Sequence, residues 1–177
     1  TSLKDNPDYI KLSPDELKEK VKAAGIVGMG GAAFPTLVKL SPPKEKPIDT
    51  VILNGAECEP YLTADYRLML EKSSDIVEGL KILMRILGVN KGFIGIENNK
   101  PDAIEKMKDA VKNEPNIEVC GLEVKYPQGA EKMLISALTG REVPPRGLPM
   151  DVRVVVQNVG TALAVYEAAR YGKPLIE

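Results

Sequence analysis

Apolar positions along this chain fall into two kinds of run that alternate. Four runs are short and nearly continuous: residues 49–53, 93–96, 117–125 and 152–156. Runs of that length, bounded by Gly, Pro or Asn, predict strands, and their continuity predicts burial on both faces of a parallel sheet. Between them, apolar residues recur every three or four positions. Over residues 74–87, Ile76, Val77, Leu80, Leu83, Met84 and Leu87 share one helical face, which is core. Residues 101–112 and 129–138 predict two more helices, and a closing helix runs from an Asn158 cap to about Arg170. Near the start, Ser13-Pro14-Asp15-Glu16 combines a serine cap, a first-turn proline and a capping-box glutamate. That helix is expected to stop at Gly25.

This alternation predicts an α/β domain: three layers, α/β/α, around a mainly parallel sheet of about four strands. Residues 1–24 form a helical lead-in to a domain over 25–177. There is no internal repeat and no low-complexity segment. Parallel sheets collect ligands at loops beyond the carboxyl ends of their strands. The loops after Leu53 and after Val156 occupy such positions.

Composition narrows the chemistry. The 177 residues, 44% hydrophobic and 28% charged, suffice for a core without disulfide or metal staples. A net charge of −1, with both signs interspersed, argues against a nucleic-acid groove. No apolar run approaches the roughly 20 residues that span a bilayer, and the first residues do not read as a signal peptide. Histidine and tryptophan are absent, which removes Ser-His-Asp, Cys-His and most zinc chemistry. Cys58 and Cys120 lack CxxC spacing, so they make no iron–sulfur ligand set, and a reducing compartment is expected. Catalysis would have to rest on carboxylates, cations, backbone amides or a borrowed cofactor.

Four segments carry candidate chemistry. Gly28-Met29-Gly30-Gly31-Ala32-Ala33-Phe34-Pro35-Thr36 removes side-chain bulk, so that backbone amides can approach a phosphate or a flat ring. It has no P-loop lysine and follows no strand, so a plain tight turn is an equal reading. Asn54-Gly55-Ala56-Glu57-Cys58-Glu59-Pro60-Tyr61 gathers an amide, two carboxylates, a thiol and a ring at a strand end. Its plain reading is a solvated turn. Acidic neighbours disfavour a thiolate, so Cys58 reads as packing rather than nucleophile. Tyr126-Pro127-Gln128-Gly129-Ala130-Glu131-Lys132 leads into a helix whose free amides suit an anion, or is an ordinary helix start. Gln157-Asn158-Val159-Gly160-Thr161 passes from strand to helix, with Asn158 a ligand or simply a cap.

In this order the four segments resemble the flavin-binding domain shared by two families. One is the NADH-binding flavoprotein subunit of complex I; the other is the C subunit of Rnf-type ion-translocating electron-transport complexes. GMGGAAFPTLVK matches the glycine loop and its following lysine, and NGAECEP matches the second motif. The wording NGAECEPYLTADYRLMLE, with YPQGAEKMLI, is closer to the Rnf C subunit. The likeness runs from about Gly25 to Gly172.

The resemblance implies an FMN site. Gly28, Gly30, Gly31 and Ala32 would line the phosphate and ring, with Lys39 adding positive charge. Asn54 would meet the isoalloxazine edge, with Ala56, Glu57 and Cys58 beside it. Gly129, Ala130 and Glu131 would form a second wall, and Asn158 and Thr161 would hold the phosphate end. Phe34, Glu59 and Glu131 match positions near NAD(H). Complex I members differ in carrying Arg at Met29, Asp at Ala56 and Ser at Cys58, and a second carboxylate before Glu131.

The function implied is electron transfer between NAD(H) and FMN, and on to iron–sulfur clusters outside this chain. The chain would be an excised domain, peripheral to the cytoplasmic side of the membrane through partner subunits. The competing reading is a non-catalytic scaffold of the same complex with weak or no flavin binding.

Overall fold

The computed structural model describes residues 3, 5–30, 32–57, 63–124 and 130–175. Helix α1 (Pro14–Ala23) begins as local chemistry requires: Ser13 Oγ accepts from Glu16 N at 3.3 Å, and Glu16 Oε2 accepts from Ser13 N at 2.7 Å. Its Leu17 and Val21 join the main core, so the lead-in packs as part of the domain. After the short helix α2 (Thr36–Lys39) comes strand β1 (Thr50–Gly55), then α3 (Ala64–Glu71) and α4 (Ser73–Leu87). Then follow β2 (Gly92–Glu97), α5 (Pro101–Ala110), β3 (Ile117–Leu122), α6 (Glu131–Thr139), β4 (Val154–Asn158) and α7 (Val159–Tyr171).

The four strands form one parallel sheet in the order β3-β2-β1-β4. Its two faces are covered unequally. Val51, Leu53, Ile94, Ile96, Ile117 and Val119 pack with α1, α4, α5 and α7 in the larger core. Ile52, Phe93, Val154 and Val156 meet Leu134 and Ile135 of α6 on the other face. The expected three-layer arrangement is therefore present, with one thick and one thin helical layer.

Several boundaries differ from the sequence reading, among them those of two strands. β4 starts later because Pro149–Val152 coils into a 3-10 turn and Arg153 adopts φ +65° before the strand. β3 ends at Leu122, short of the expected extent. Helix α3 was not predicted at all; its N-cap Thr63 makes no side-chain capping bond. Its first turn is satisfied from outside. Glu57 accepts from Asp65 N at 3.0 Å and from Tyr66 N at 3.3 Å, a signal that no local window contains.

From β1 the chain moves outward through β2 to β3, then returns to the opposite side of β1 as β4. The order therefore reverses between β1 and β4. A crevice opens at such a switch point, beyond the strands' carboxyl ends.

Candidate functional site

At that switch point Asn54 and Asn158 are register partners, the last pair of the β1–β4 ladder. Each folds its side chain back on its own loop. Asn54 Oδ1 accepts from Ala56 N at 3.0 Å, and Asn158 Oδ1 accepts from Gly160 N at 2.7 Å. Asn158 thereby caps α7, as the sequence predicts. The two turns leave the sheet side by side, and Asn54, Ala56 and Asn158 remain partly accessible.

The glycine loop reaches the same place from the far side of the sequence. Val27 and Pro35 form an antiparallel bridge, and Gly28 N donates to Phe34 O at 2.8 Å, closing the loop at its base. Its tip is pinned where Met29 N donates to Thr161 Oγ1 at 2.9 Å. Gly30 has φ +72°, and a Cβ there would lie 3.2 Å from Asn158 Nδ2. Both facts favour glycine: the backbone is left-handed, and the approach to Asn158 is close. Met29 turns towards the protein, since a Cβ on Gly160 would meet its Sδ at 3.1 Å. Thr161 is fully buried, so its hydroxyl secures the loop from beneath rather than facing the crevice.

Lys39 and Glu131 join the site from two further elements. Lys39 Nζ donates to Glu131 Oε1 at 3.2 Å and to Val156 O at 3.0 Å. The lysine that follows the glycine loop is thus held at the middle of β4, with the first-turn glutamate of α6 beside it. Both side chains keep appreciable exposure, 30% and 40%, so each can still meet a ligand. Ala130 is exposed at the N-cap of α6.

Glu57 behaves otherwise. Its side chain is only 7% exposed and is committed to the α3 amides, with Lys100 Nζ 3.6 Å away. Lys100 also approaches Glu97 at 3.4 Å. From the first turn of α3, Asp65 Oδ2 accepts from Asn158 Nδ2 at 2.6 Å. Burial, opposed by that hydrogen bond and reinforced by the neighbouring Glu57 carboxylate, raises the Asp65 pKa; Lys100 acts the other way.

Residues 21–167 match the family model for the Nuo51 FMN-binding domain. The chain belongs to the Nuo51 FMN-binding domain family. It is 60% identical over 96% of its length to the C subunit of a proton-translocating ferredoxin:NAD(+) oxidoreductase complex from Clostridium ljungdahlii. It is 56% identical over 93% of its length to the C subunit of the Na(+)-translocating ferredoxin:NAD(+) oxidoreductase complex of Acetobacterium woodii. The chain spans 37% of the length of each of these relatives. Among solved structures, an air-oxidized NAD+-reducing NiFe hydrogenase shares the fold, with TM-score 0.73 and 25% identity. That match covers 92% of this chain and 31% of the other.

Within this Nuo51-type domain, the structure brings Gly28, Gly30, Lys39, Asn54, Ala56, Glu131 and Asn158 to one end of the sheet. Ala32 and Phe34 stand exposed on the same loop, with Phe34 48% accessible. Gly31, Cys58, Glu59 and Gly129 lie outside the described residues. Sequence reasoning missed Asp65 and Lys100. Their only local trace is acidic and basic residues beside strand-end loops, the ordinary look of a solvated surface. A separate groove of about 600 Å³ lies at the β3 edge, bordered by Phe93, Cys120, Met133 and Leu138, away from this crevice. Among the described residues no helix is long and apolar enough to cross a membrane.

Proposed function

We propose that this chain binds FMN in the crevice between β1 and β4 and serves a subunit of an ion-translocating electron-transport complex. There it would pass electrons between NAD(H) and FMN, and onward to iron–sulfur centres outside this chain. The observation that carries the reading is the pairing of Asn54 and Asn158 at the switch point, with Gly30 in left-handed backbone and its Cβ position only 3.2 Å from Asn158 Nδ2. The residues suit the cofactor. Small residues leave room for a flat ring, two carboxamides border the opening, and Lys39 supplies a cation. The 13-residue helix α7 starts beside them and offers a favourable end to a phosphate. Bound FMN would supply hydride acceptance and one-electron release, chemistry that the side chains themselves lack.

In this reading Gly28, Gly30, Ala32 and Ala130 shape the walls. Asn54 and Asn158 orient the ring and phosphate ends, and Glu131 and Phe34 face NAD(H). Ala56 and the backbone at Glu57 flank the ring. Thr161 acts through the loop it anchors. Partner subunits would hold the domain at the cytoplasmic side of the membrane. The commitment of the Glu57 carboxylate to α3 favours a second reading, a scaffold domain with weak flavin binding.

Titrating the purified chain with FMN and with FAD, followed through the visible flavin bands, separates the two. Saturable binding with FMN tighter than FAD supports the FMN site. An unperturbed flavin spectrum supports the scaffold.

A further inference from the structure

Asp65 belongs to none of the four recognisable segments, yet it links two of them. Glu57, two residues beyond the end of β1, accepts from the Asp65 amide at 3.0 Å and so fixes where α3 begins. The Asp65 carboxylate then accepts from Asn158 Nδ2 at 2.6 Å, a contact spanning 93 residues. Asn158 in turn directs Oδ1 to Gly160 N. With a donor on one side and an acceptor on the other, only one orientation of the Asn158 carboxamide satisfies both. Because the Gly30 backbone lies against Nδ2, that orientation also sets the near edge of the glycine loop.

We propose that Asp65 is the positioning residue of the crevice: with Glu57 it latches the β1 loop to the β4–α7 turn and holds Asn158 in its ligand-ready orientation. This rests on the FMN reading of the site. It also assigns the Glu57 side chain a task distinct from touching the cofactor. The half-buried carboxylate is held at a cost, since its partial burial disfavours the charged form. Glu57 and Glu97 lie on the same side of the sheet end, and Lys100 is the cation among them. A group kept for stability alone would not be placed so; one kept to orient another side chain can be.

The test is Asp65→Asn in the full chain, read three ways. FMN affinity is expected to fall about tenfold or more, the range for weakening one hydrogen bond to a charged partner. The melting temperature is expected to stay level or rise slightly, because a half-buried charge has been removed. In two-dimensional NMR without ligand, the Asn158 side-chain amide signals are expected to shift and lose protection from exchange. Unchanged affinity, or a melting temperature falling together with affinity, overturns the proposal. If the unmutated chain does not bind FMN, the cofactor reading fails. The Asn158 signals then decide the latch by themselves: unmoved, they refute it. Glu57→Gln combined with Asp65→Asn should lose less affinity than the sum of the single losses, since both act on one linkage; additive losses count against it.

Discussion

Lys39 Nζ stands 3.2 Å from Glu131 Oε1 while also donating to Val156 O at 3.0 Å, so one ammonium joins α2, the start of α6 and the middle of β4. The pair is partly solvent-exposed, and such pairs add little stability, about 1 kcal/mol or less. Its value is positional: a cation and an ionisable acceptor are kept together at the rim of the proposed FMN crevice.

Replacing Glu131 with Gln tests that role. Lys39 keeps its bond to Val156 O, so FMN affinity is expected to stay within a few-fold. Reduction by NADH is expected to slow about ten- to a hundredfold, the cost of one lost hydrogen bond to a charged group. Stopped-flow bleaching of bound flavin, in this chain or a longer polypeptide containing it, makes the measurement. An unchanged rate returns Glu131 to the status of a helix-start residue.

At Gly30 the prediction is steric. Valine there must adopt φ +72° and place its Cβ 3.2 Å from Asn158 Nδ2. Left-handed backbone costs a branched residue about 1–3 kcal/mol, and the added methyls would occupy the opening. Flavin retention on purification should be lost in Gly30→Val while the far-ultraviolet circular dichroism is kept. Near-normal retention would mean that the loop is only a turn.

The interface between α4 and α7 depends on a missing side chain. A Cβ on Gly79 would fall 1.9 Å from Ala162 O, which is backbone and cannot swing aside. Gly79→Ala must therefore push two core helices apart. Overpacking of this kind costs about 1–3 kcal/mol, or a melting temperature lower by roughly 2–12 °C for a domain of this size. Calorimetry that shows no drop would mean the two helices leave room for a methyl group in solution.

Asp49 gives the acid limb of stability its direction. Burial alone would raise its pKa, but hydrogen bonds from Arg141 (2.7 and 3.2 Å) and Thr50, with Arg153 nearby, hold it below the ordinary 3.8. A carboxylate depressed in the folded state adds stability that is fully present above 3.8 and is lost as pH falls through the folded value. Asp49→Asn should therefore lower the melting temperature at pH 6, with the difference from the unmutated chain shrinking as pH approaches 2–3. A gap that persists at low pH would trace the loss to packing instead.

Much of the fold was legible because its signals are short-range. The Ser13–Glu16 capping box, the apolar stripe along α4 and the Asn158 cap of α7 each lie within a few residues, and each predicted the element found. The alternation of strand-like and helix-like runs likewise led to a parallel sheet. The four motif segments could be picked out from their small and amide-bearing residues, and with the family likeness they indicated an FMN site.

What only the tertiary structure decided depends on contacts between distant residues. The strand order β3-β2-β1-β4 makes Asn54 and Asn158 register partners, and no local pattern encodes which strand returns beside which. Helix α3 escaped prediction because its cap, Glu57, sits outside the turn it satisfies. Thr161 looked like a phosphate ligand, but burial beneath the glycine loop turns its hydroxyl to the Met29 amide. Nothing in the sequence singled out Asp65, yet folding places its carboxylate 2.6 Å from an amide 93 residues away. A hydrogen-bonding group is read from sequence as a capacity; only the fold, by removing water and bringing distant chain together, selects the partner.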